Sequence, residues 1–275
     1  MLERLTSDPS GWALFLGFWV LLFALAGAEL WRPLHAGRDE PAGRIPGNVA
    51  MGLINAALSA LLPLSTVFSA EYAARAGIGL MNLAPPPAVV AIVATVAMRS
   101  LATYAIHRLS HRLPVLWRVH RVHHSDTALD LSTGFRNHPL ELAFVVPWLA
   151  AATVAFGLDA PTLLAYEAAA LGFALWDHAN LRLPLWFDRA LRLLFVTPAM
   201  HHVHHSALRG ETDSNYGDML SIWDRLFGTY RVLEGEALDS IRIGLGPDFD
   251  PNASNLVRQL RLPLEGDSAA SRSKA

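Results

Sequence analysis

Residues 107–126 read His107-Arg-Leu-Ser-His111-Arg-Leu-Pro-Val-Leu-Trp-Arg-Val-His120-Arg-Val-His123-His124-Ser-Asp126. Residues 201–206 echo the end of that stretch as His201-His202-Val-His204-His205-Ser206. All but His35 of the 12 histidines lie between His107 and His205. A helix places residues i, i+3 and i+4 on one face, so each run can aim two or three imidazoles at one point. Neutral imidazole is the commonest nitrogen ligand of transition metals. Two such runs brought together would hold two metal ions.

The rest of the chain says where such a centre sits. Of 275 residues, 52% are hydrophobic and 17% charged, against about 25% charged in soluble domains. Mean hydropathy is +0.29. The balance is that of a membrane protein. A formal net charge of −2, without a dense basic face, excludes nucleic acid as a partner. The absence of cysteine excludes disulfides, thiolate zinc, iron–sulfur clusters held by this chain and a cysteine nucleophile.

A membrane span needs about 20 mostly apolar residues. Residues 11–30 qualify, uncharged until Glu29, and are too long and too poor in basic flanks for a cleaved signal peptide. Residues 48–70 and 87–106 qualify next, the latter with Arg99 as its sole charge. Residues 142–157 and 160–176 follow, joined only by Leu158 and Asp159, which predicts a tight helical hairpin. The expected fold is an all-α membrane bundle of four to five segments, continuous with a helical cap that carries the histidines. Arg32, Arg38 and Arg44 follow the first segment and Arg108, Arg112, Arg118, Arg121 and Arg136 the third, whereas Arg75 alone follows the second. The positive-inside rule then places the cap and its metal site on the cytoplasmic face. The alanine- and arginine-rich composition is that of a bacterial inner-membrane protein.

Residues 41–47 and 84–87 are turn-rich connectors. Residues 185–196 mix Trp186, Phe187 and Phe195 with Asp188 and Arg192, as suits either a helix in the headgroup region or an ordinary amphipathic capping helix. Residues 266–275 are small and polar and are expected to be disordered.

The candidate ligands are His107, His111, His120, His123, His124, His178, His201, His204 and His205. His107 and His111 continue the third segment. Pro114 starts the helix that carries His120, and Pro198 starts the helix of the last run. His202 points about 100° from His201 on a helix and is the odd member of its run. His138 is either a ligand or a structural hydrogen bonder, and His35 reads as a loop histidine. Asp126, Asp177 and Asp213 are candidates to orient imidazoles from behind. Glu167 stands among alanines and leucines, where a charge is costly; it either lines a substrate cavity or bonds a neighbouring helix, the latter being favoured. Trp148, Tyr166, Phe173 and Trp176 line a tunnel or simply pack. All-nitrogen sites suit zinc, iron or copper. Nine imidazoles exceed one closed zinc site, and so few carboxylates favour iron and oxygen chemistry over a hydrolytic pair.

These residues resemble the fatty acid hydroxylase and sterol desaturase superfamily over residues 99–230. HxxxH stands at His107/His111, and HxxHH at His120/His123/His124 and again at His201/His204/His205. Connecting signatures match at Leu116-Trp117-Arg118, Arg136-Asn-His-Pro-Leu-Glu141, His178-Ala-Asn180, Asp213-Ser-Asn215-Tyr216-Gly217 and Trp223 to Tyr230. His202 departs from it, since similar sequences often carry arginine there. The resemblance adds Asn180 and Asn215 to the candidate supporting residues. It divides the chain into N-terminal membrane helices (1–85), a catalytic domain (86–235) and a C-terminal cytoplasmic tail (236–275). It implies two iron ions, with zinc able to replace them in purified material, O₂, and oxidation of a lipid C–H bond, hydroxylation being favoured over desaturation. Electrons must come from outside, because no motif for NAD, flavin or haem is present: an external reductase with a ferredoxin or cytochrome-type carrier is the expected partner. Oxidative cleavage of an ether lipid would use the same centre. A metal transporter would need ionisable residues along its membrane segments, and only Arg99 and Glu167 are there.

Overall fold

A computed structural model describes residues 9–37, 41–62, 65–246 and 255–265. Residues 266–275, expected to be disordered, lie outside them. Among the described residues no strand forms; three isolated antiparallel bridges join loops. The longer helices, in chain order, are α1 (Pro9–Trp31), α2 (Arg44–Leu61), α3 (Thr66–Ala76) and α4 (Ala88–Arg112). They continue with α5 (Pro114–His120), α6 (Leu142–Phe156), α7 (Ala160–His178), α8 (Leu185–Leu191), α9 (Pro198–His204), α10 (Ile222–Leu226) and α11 (Leu256–Arg261). The fold is the expected all-helical one.

Four stretches are long and apolar enough to cross a membrane by length and composition: Gly11–Trp31, Arg44–Leu83, Ala88–Arg112 and Pro139–Phe156. Their outer faces carry exposed Phe15, Val20, Phe23, Leu53, Val89 and Val93, apolar surface of a kind that a soluble protein would bury.

Two boundaries differ from expectation. The second segment begins at Arg44, not residue 48, because Gly43 adopts a left-handed turn before it and Pro46 lies in the first helical turn, where its missing N–H costs nothing. It also does not run unbroken to residue 70. The sequence holds Pro63, which cannot donate to a continuing helix, and Ser65 caps a new helix by accepting from the Phe68 N–H at 3.1 Å. The expected fifth segment does form as α7, yet with Glu167 and Asp177 it falls outside the four apolar stretches.

The α6–α7 hairpin is built as its short link requires. Gly157 ends α6 with φ 68°, and a Cβ there would sit 2.8 Å from the Asn82 side chain. Asp159 then caps α7, accepting from the Thr162 N–H at 2.9 Å. α3 packs on α6 and α7, and α4 packs on both as well. Arg99 of α4 donates to both oxygens of Glu167 on α7, at 2.8 and 3.0 Å, and Thr66 of α3 donates to Glu167 at 2.8 Å. Each apolar helix thus carries its charge only because the other neutralises it. Glu167 bonds a neighbouring helix and does not line the cavity beside the histidines.

α4 stops where Pro114 forces Leu113 into an extended conformation. α5 then packs against α4, and the C-terminal ends of α4 and α7 both bring histidines to the same cluster. The cap has its own core of Leu34, Leu129, Val203, Leu238, Ile241 and Ile243. α11 docks on α2, with Leu262 beyond it packing on Met51 and Val122. Around α8, Trp186, Leu193 and Leu194 are exposed while Asp188 and Arg192 are buried and paired at 3.1 Å.

Candidate metal centre

The histidines converge from five pieces of chain. His107 and His111 end α4, His120 ends α5, His123 and His124 form a 3-10 turn, His178 ends α7, and His201, His204 and His205 come from α9 and the residue after it. Helix C-termini carry partial negative charge, which favours a cation where α4 and α7 finish.

The nine rings divide into two groups. His107, His111, His120, His124 and His204 each bring one ring nitrogen within 4.8 Å of the others, and so do His123, His178, His201 and His205. The division crosses the sequence runs: His123 and His124 are adjacent, yet they serve different groups. The groups touch through His124 and His205, whose rings stack with centroids 4.4 Å apart.

Inside each group, nitrogens face nitrogens. Nε2 of His111 lies 3.1 Å from Nε2 of His124; Nε2 of His178 lies 3.0 Å from that of His123 and 3.0 Å from that of His201; His201 and His205 are 3.1 Å apart at Nε2. Nε2 of His107, His120 and His204 is buried with no hydrogen-bond partner among the described residues. Neutral imidazoles cannot satisfy all these atoms with one another. Two nitrogens each about 2.1 Å from a metal and at right angles about it stand about 3.0 Å apart, the spacing seen. The donor set therefore fits two cations, one per group.

The far nitrogens hold the rings in the matching tautomer. Nδ1–H of His107 donates to the Tyr216 carbonyl at 2.8 Å, that of His204 to Ser214 at 2.7 Å, and that of His178 to Ala174 at 2.7 Å. Nδ1 of His120 lies 3.4 Å from Glu141 Oε2 and Nδ1 of His111 lies 3.5 Å from Asp213 Oδ1. In each case Nε2 is left free to bind a metal. The Ser214–Gly217 turn that offers two of these carbonyls is itself strapped. Asn215, at φ 51°, donates to the Met200 and Arg231 carbonyls at 3.0 and 2.8 Å, and Asp224 accepts from the Tyr216 and Gly217 N–H groups at 2.8 and 2.9 Å.

Burial pushes His123, His124, His201 and His205 well below the ordinary histidine range, helped by the neighbouring imidazoles. It takes His204 down to about 3 against the opposing Ser214 carbonyl bond. Neutral rings are the form that binds metal.

The other candidates stand outside the two groups. His138 caps a 3-10 turn, accepting from the Leu140 N–H at 3.1 Å and donating to the Leu260 carbonyl at 3.3 Å. His202 is buried behind the cluster, 3.2 Å from the Ala179 carbonyl and stacked on His35 at 5.1 Å. His35 is a loop histidine, as expected, and a buried one: its backbone is tied to the Asn180 side chain in both directions. Asp126 orients no imidazole ring. It accepts from Arg44 at 3.0 Å, Asn48 at 3.1 Å and Thr133 at 2.7 Å, anchoring the loop after His124 to α2. Burial alone would raise its carboxyl, but Arg136 and Arg44, with the Thr133 hydroxyl, hold it below the usual range. Asp177 likewise bonds no imidazole, since its carboxyl faces a cavity. Glu141 was not singled out from the sequence, although it ends the quoted Arg136–Glu141 signature; the supporting carbonyls of Ala174, Ser214 and Tyr216 leave no side-chain signal at all.

That cavity, of about 270 Å³, is walled by His107, His120, His123, His178 and His201 on one side and by Thr103, Ile106, Val145, Ala170 and Ala174 on the others. Trp148, Tyr166, Phe173 and Trp176 do not line it. The Trp148 and Trp176 indoles bond the Ala102 and Val196 carbonyls, Tyr166 lies against the Arg99 guanidinium, and Phe173 packs on Phe195.

Fold and site together define an integral membrane protein of helices, with a histidine-lined centre able to hold metal where the helices meet the cap. The chain belongs to the fatty acid hydroxylase family, whose model matches residues 92–229. It is 32% identical over 139 residues to ornithine lipid hydroxylase OlsE of Rhizobium tropici, covering 50% of this chain and 41% of that one. It is 31% identical over 129 residues to human alkylglycerol monooxygenase (47% and 28%), and 28% over 138 residues to the alternative squalene epoxidase of Phaeodactylum tricornutum (49% and 38%). The chain thus spans less than half the length of these relatives. No solved structure matches it.

Proposed function

We propose that the protein is an O₂-dependent oxidoreductase with two iron ions that oxidises a C–H bond of a membrane lipid, by hydroxylation rather than desaturation. The observation that carries this reading is the meeting of nine imidazoles, eight of them buried and His107 half-buried, divided into two groups, with a cavity whose other walls include the apolar side chains of Ile106, Val145, Ala170 and Ala174. Lipid hydroxylase and monooxygenase relatives support it. His107, His111, His120, His124 and His204 would hold one ion, and His123, His178, His201 and His205 the other. Iron bound there supplies O₂ activation. The overall balance is RH + O₂ + 2 e⁻ + 2 H⁺ → ROH + H₂O, so a separate reductase with a ferredoxin or cytochrome-type carrier must deliver the electrons. The protein's own residues do the rest. Ile106, Val145 and Ala170 exclude water from around the lipid, and the carbonyls of Tyr216, Ser214 and Ala174 keep Nε2 of three rings pointed inward. The positive-inside reading favours the cytoplasmic face, and the alanine- and arginine-rich composition favours a bacterial inner membrane.

A second reading, oxidative cleavage of an ether lipid, is favoured by the alkylglycerol monooxygenase relatives. Both are tested by expressing the chain and a His204→Ala variant in cells grown under ¹⁸O₂, with reductant supplied, and comparing lipid extracts by mass spectrometry. A lipid that gains one labelled oxygen only with the intact chain supports hydroxylation. A fatty aldehyde released from an ether lipid supports cleavage. No oxygenated lipid in any class sinks the proposal.

A further inference from the structure

The cavity beside the histidines is not apolar throughout. Asp177 and Asp218 both line it. Asp177 is 2% exposed, and its Oδ1 has no hydrogen-bond partner among the described residues. Asp218 accepts the Met219 N–H at 2.8 Å. The guanidinium of Arg99 is committed to both oxygens of Glu167 and does not bond Asp177. Neither aspartate belongs to either histidine group, so neither is set among the candidate metal ligands. An acceptor buried on a cavity wall without a donor is the mark of a site whose partner arrives with the ligand.

We propose that Asp177, flanked by Asp218, recognises a hydrogen-bond donor carried by the substrate, a hydroxyl or a protonated amine. Asp177 adjoins His178 and both line the cavity, so that donor would lie within a few bonds of the carbon presented to the histidines. The lipid is therefore oxidised near a polar group, not in the middle of a plain alkyl chain. This inference rests on the reading of the cavity as the substrate site. A substrate without the donor leaves the Asp177 carboxyl desolvated and without a partner. Sites built to hydrogen-bond a polar group discriminate strongly against analogues that lack it.

The test is equilibrium binding of radiolabelled 1-hexadecanol, hexadecylamine and hexadecane to the full-length, metal-loaded protein in detergent micelles, with affinity expressed against micellar mole fraction. No O₂ or reductant is present, so failure of the oxygenase reading, seen as absence of oxygenated lipid, is separable from failure here. At least one polar probe should bind at least about tenfold more tightly than hexadecane, about 1.4 kcal/mol, and Asp177→Leu should remove the difference while the two metals stay bound. Asp177→Asn separates the sources. It keeps an acceptor for the hydroxyl, so a retained preference for hexadecanol identifies that donor, whereas a lost preference for hexadecylamine identifies an ammonium. Should Asp177→Leu not fold, Asp218→Asn must narrow the difference between the polar probes and hexadecane. Equal binding of the three probes overturns the inference, as does a preference that survives Asp177→Leu, or a loss of metal as its only effect.

Discussion

Arg136 is fully buried, and its guanidinium ties three pieces of chain together. Nε donates to the Val122 carbonyl at 3.0 Å, Nη1 to Asn48 Oδ1 at 3.1 Å and Nη2 to Ser125 Oγ at 2.6 Å. Val122 and Ser125 bracket His123 and His124, so this one side chain holds a ligand from each group against α2. Arg136→Met keeps the volume and removes the fork. Three hydrogen bonds to a charged group, at about 1.5–3 kcal/mol each, set a ceiling of about 9 kcal/mol. The buried guanidinium also recovers its own desolvation cost, and methionine fills the space, so the loss should resemble that of breaking a buried pair, about 3–5 kcal/mol. At roughly 2–4 °C per kcal/mol for a chain of this size, the unfolding temperature should fall by about 6–20 °C. Thermal unfolding of the purified chain in detergent measures it, with metal content read on the same samples. Arg136→Lys should recover little, because an ammonium cannot reach three acceptors in a plane. A loss within about 0.5 kcal/mol, the range of ordinary surface substitutions, together with unchanged metal content, would refute the reasoning.

Glu141→Ala removes the carboxylate behind His120 and should weaken metal binding at the His107 group about 10- to 100-fold; a chelator titration that gives parental affinity contradicts that role. Gly134 lies so close to α7 that a Cβ would meet the Ala174 carbonyl oxygen at 2.6 Å. Gly134→Ala should therefore destabilise by about 1–3 kcal/mol and shift the carbonyl that orients His178, and an unaltered unfolding temperature would show that the contact relaxes freely. The depressed histidines make the metal-free protein acid-sensitive: His123, His124, His201, His204 and His205 lie below their ordinary range when folded. The unfolded chain takes up these protons first, so the stability is full above about pH 6.5 and falls with pH toward the folded values, by up to about 1.4 kcal/mol per pH unit for each ring. Unfolding temperatures of the metal-free protein should drop steadily from pH 7.5 to 5; a flat profile contradicts neutral, buried rings.

The histidine clustering was legible because imidazole spacing is a local property: HxxxH and HxxHH put their rings on shared faces before any tertiary contact is known. What the spacing could not reveal was the partition. His123 and His124 serve different groups because the 3-10 turn at His123–Ser125 directs successive rings apart, a backbone choice no periodicity encodes. His202 was separable by helix angle, whereas burial of His35 depends on the side chain of Asn180, far away in sequence. Hydropathy located the membrane helices but missed the break before Ser65 and placed the start of α2 too late, since capping outweighs apolar content at helix ends. Asp177 looked like a support for imidazoles because it adjoins His178, but neighbours on a helix point about 100° apart, and its carboxyl faces the cavity instead.

Nine imidazoles in two separate groups should hold two metals. Anaerobic reconstitution of the metal-free full-length chain with Fe(II), followed by elemental analysis after desalting, tests it most directly. Two ions per chain are expected, and one in a His107→Ala/His111→Ala variant that spares the His123, His178, His201 and His205 group. A single ion in the parent, or two retained in that variant, would contradict it.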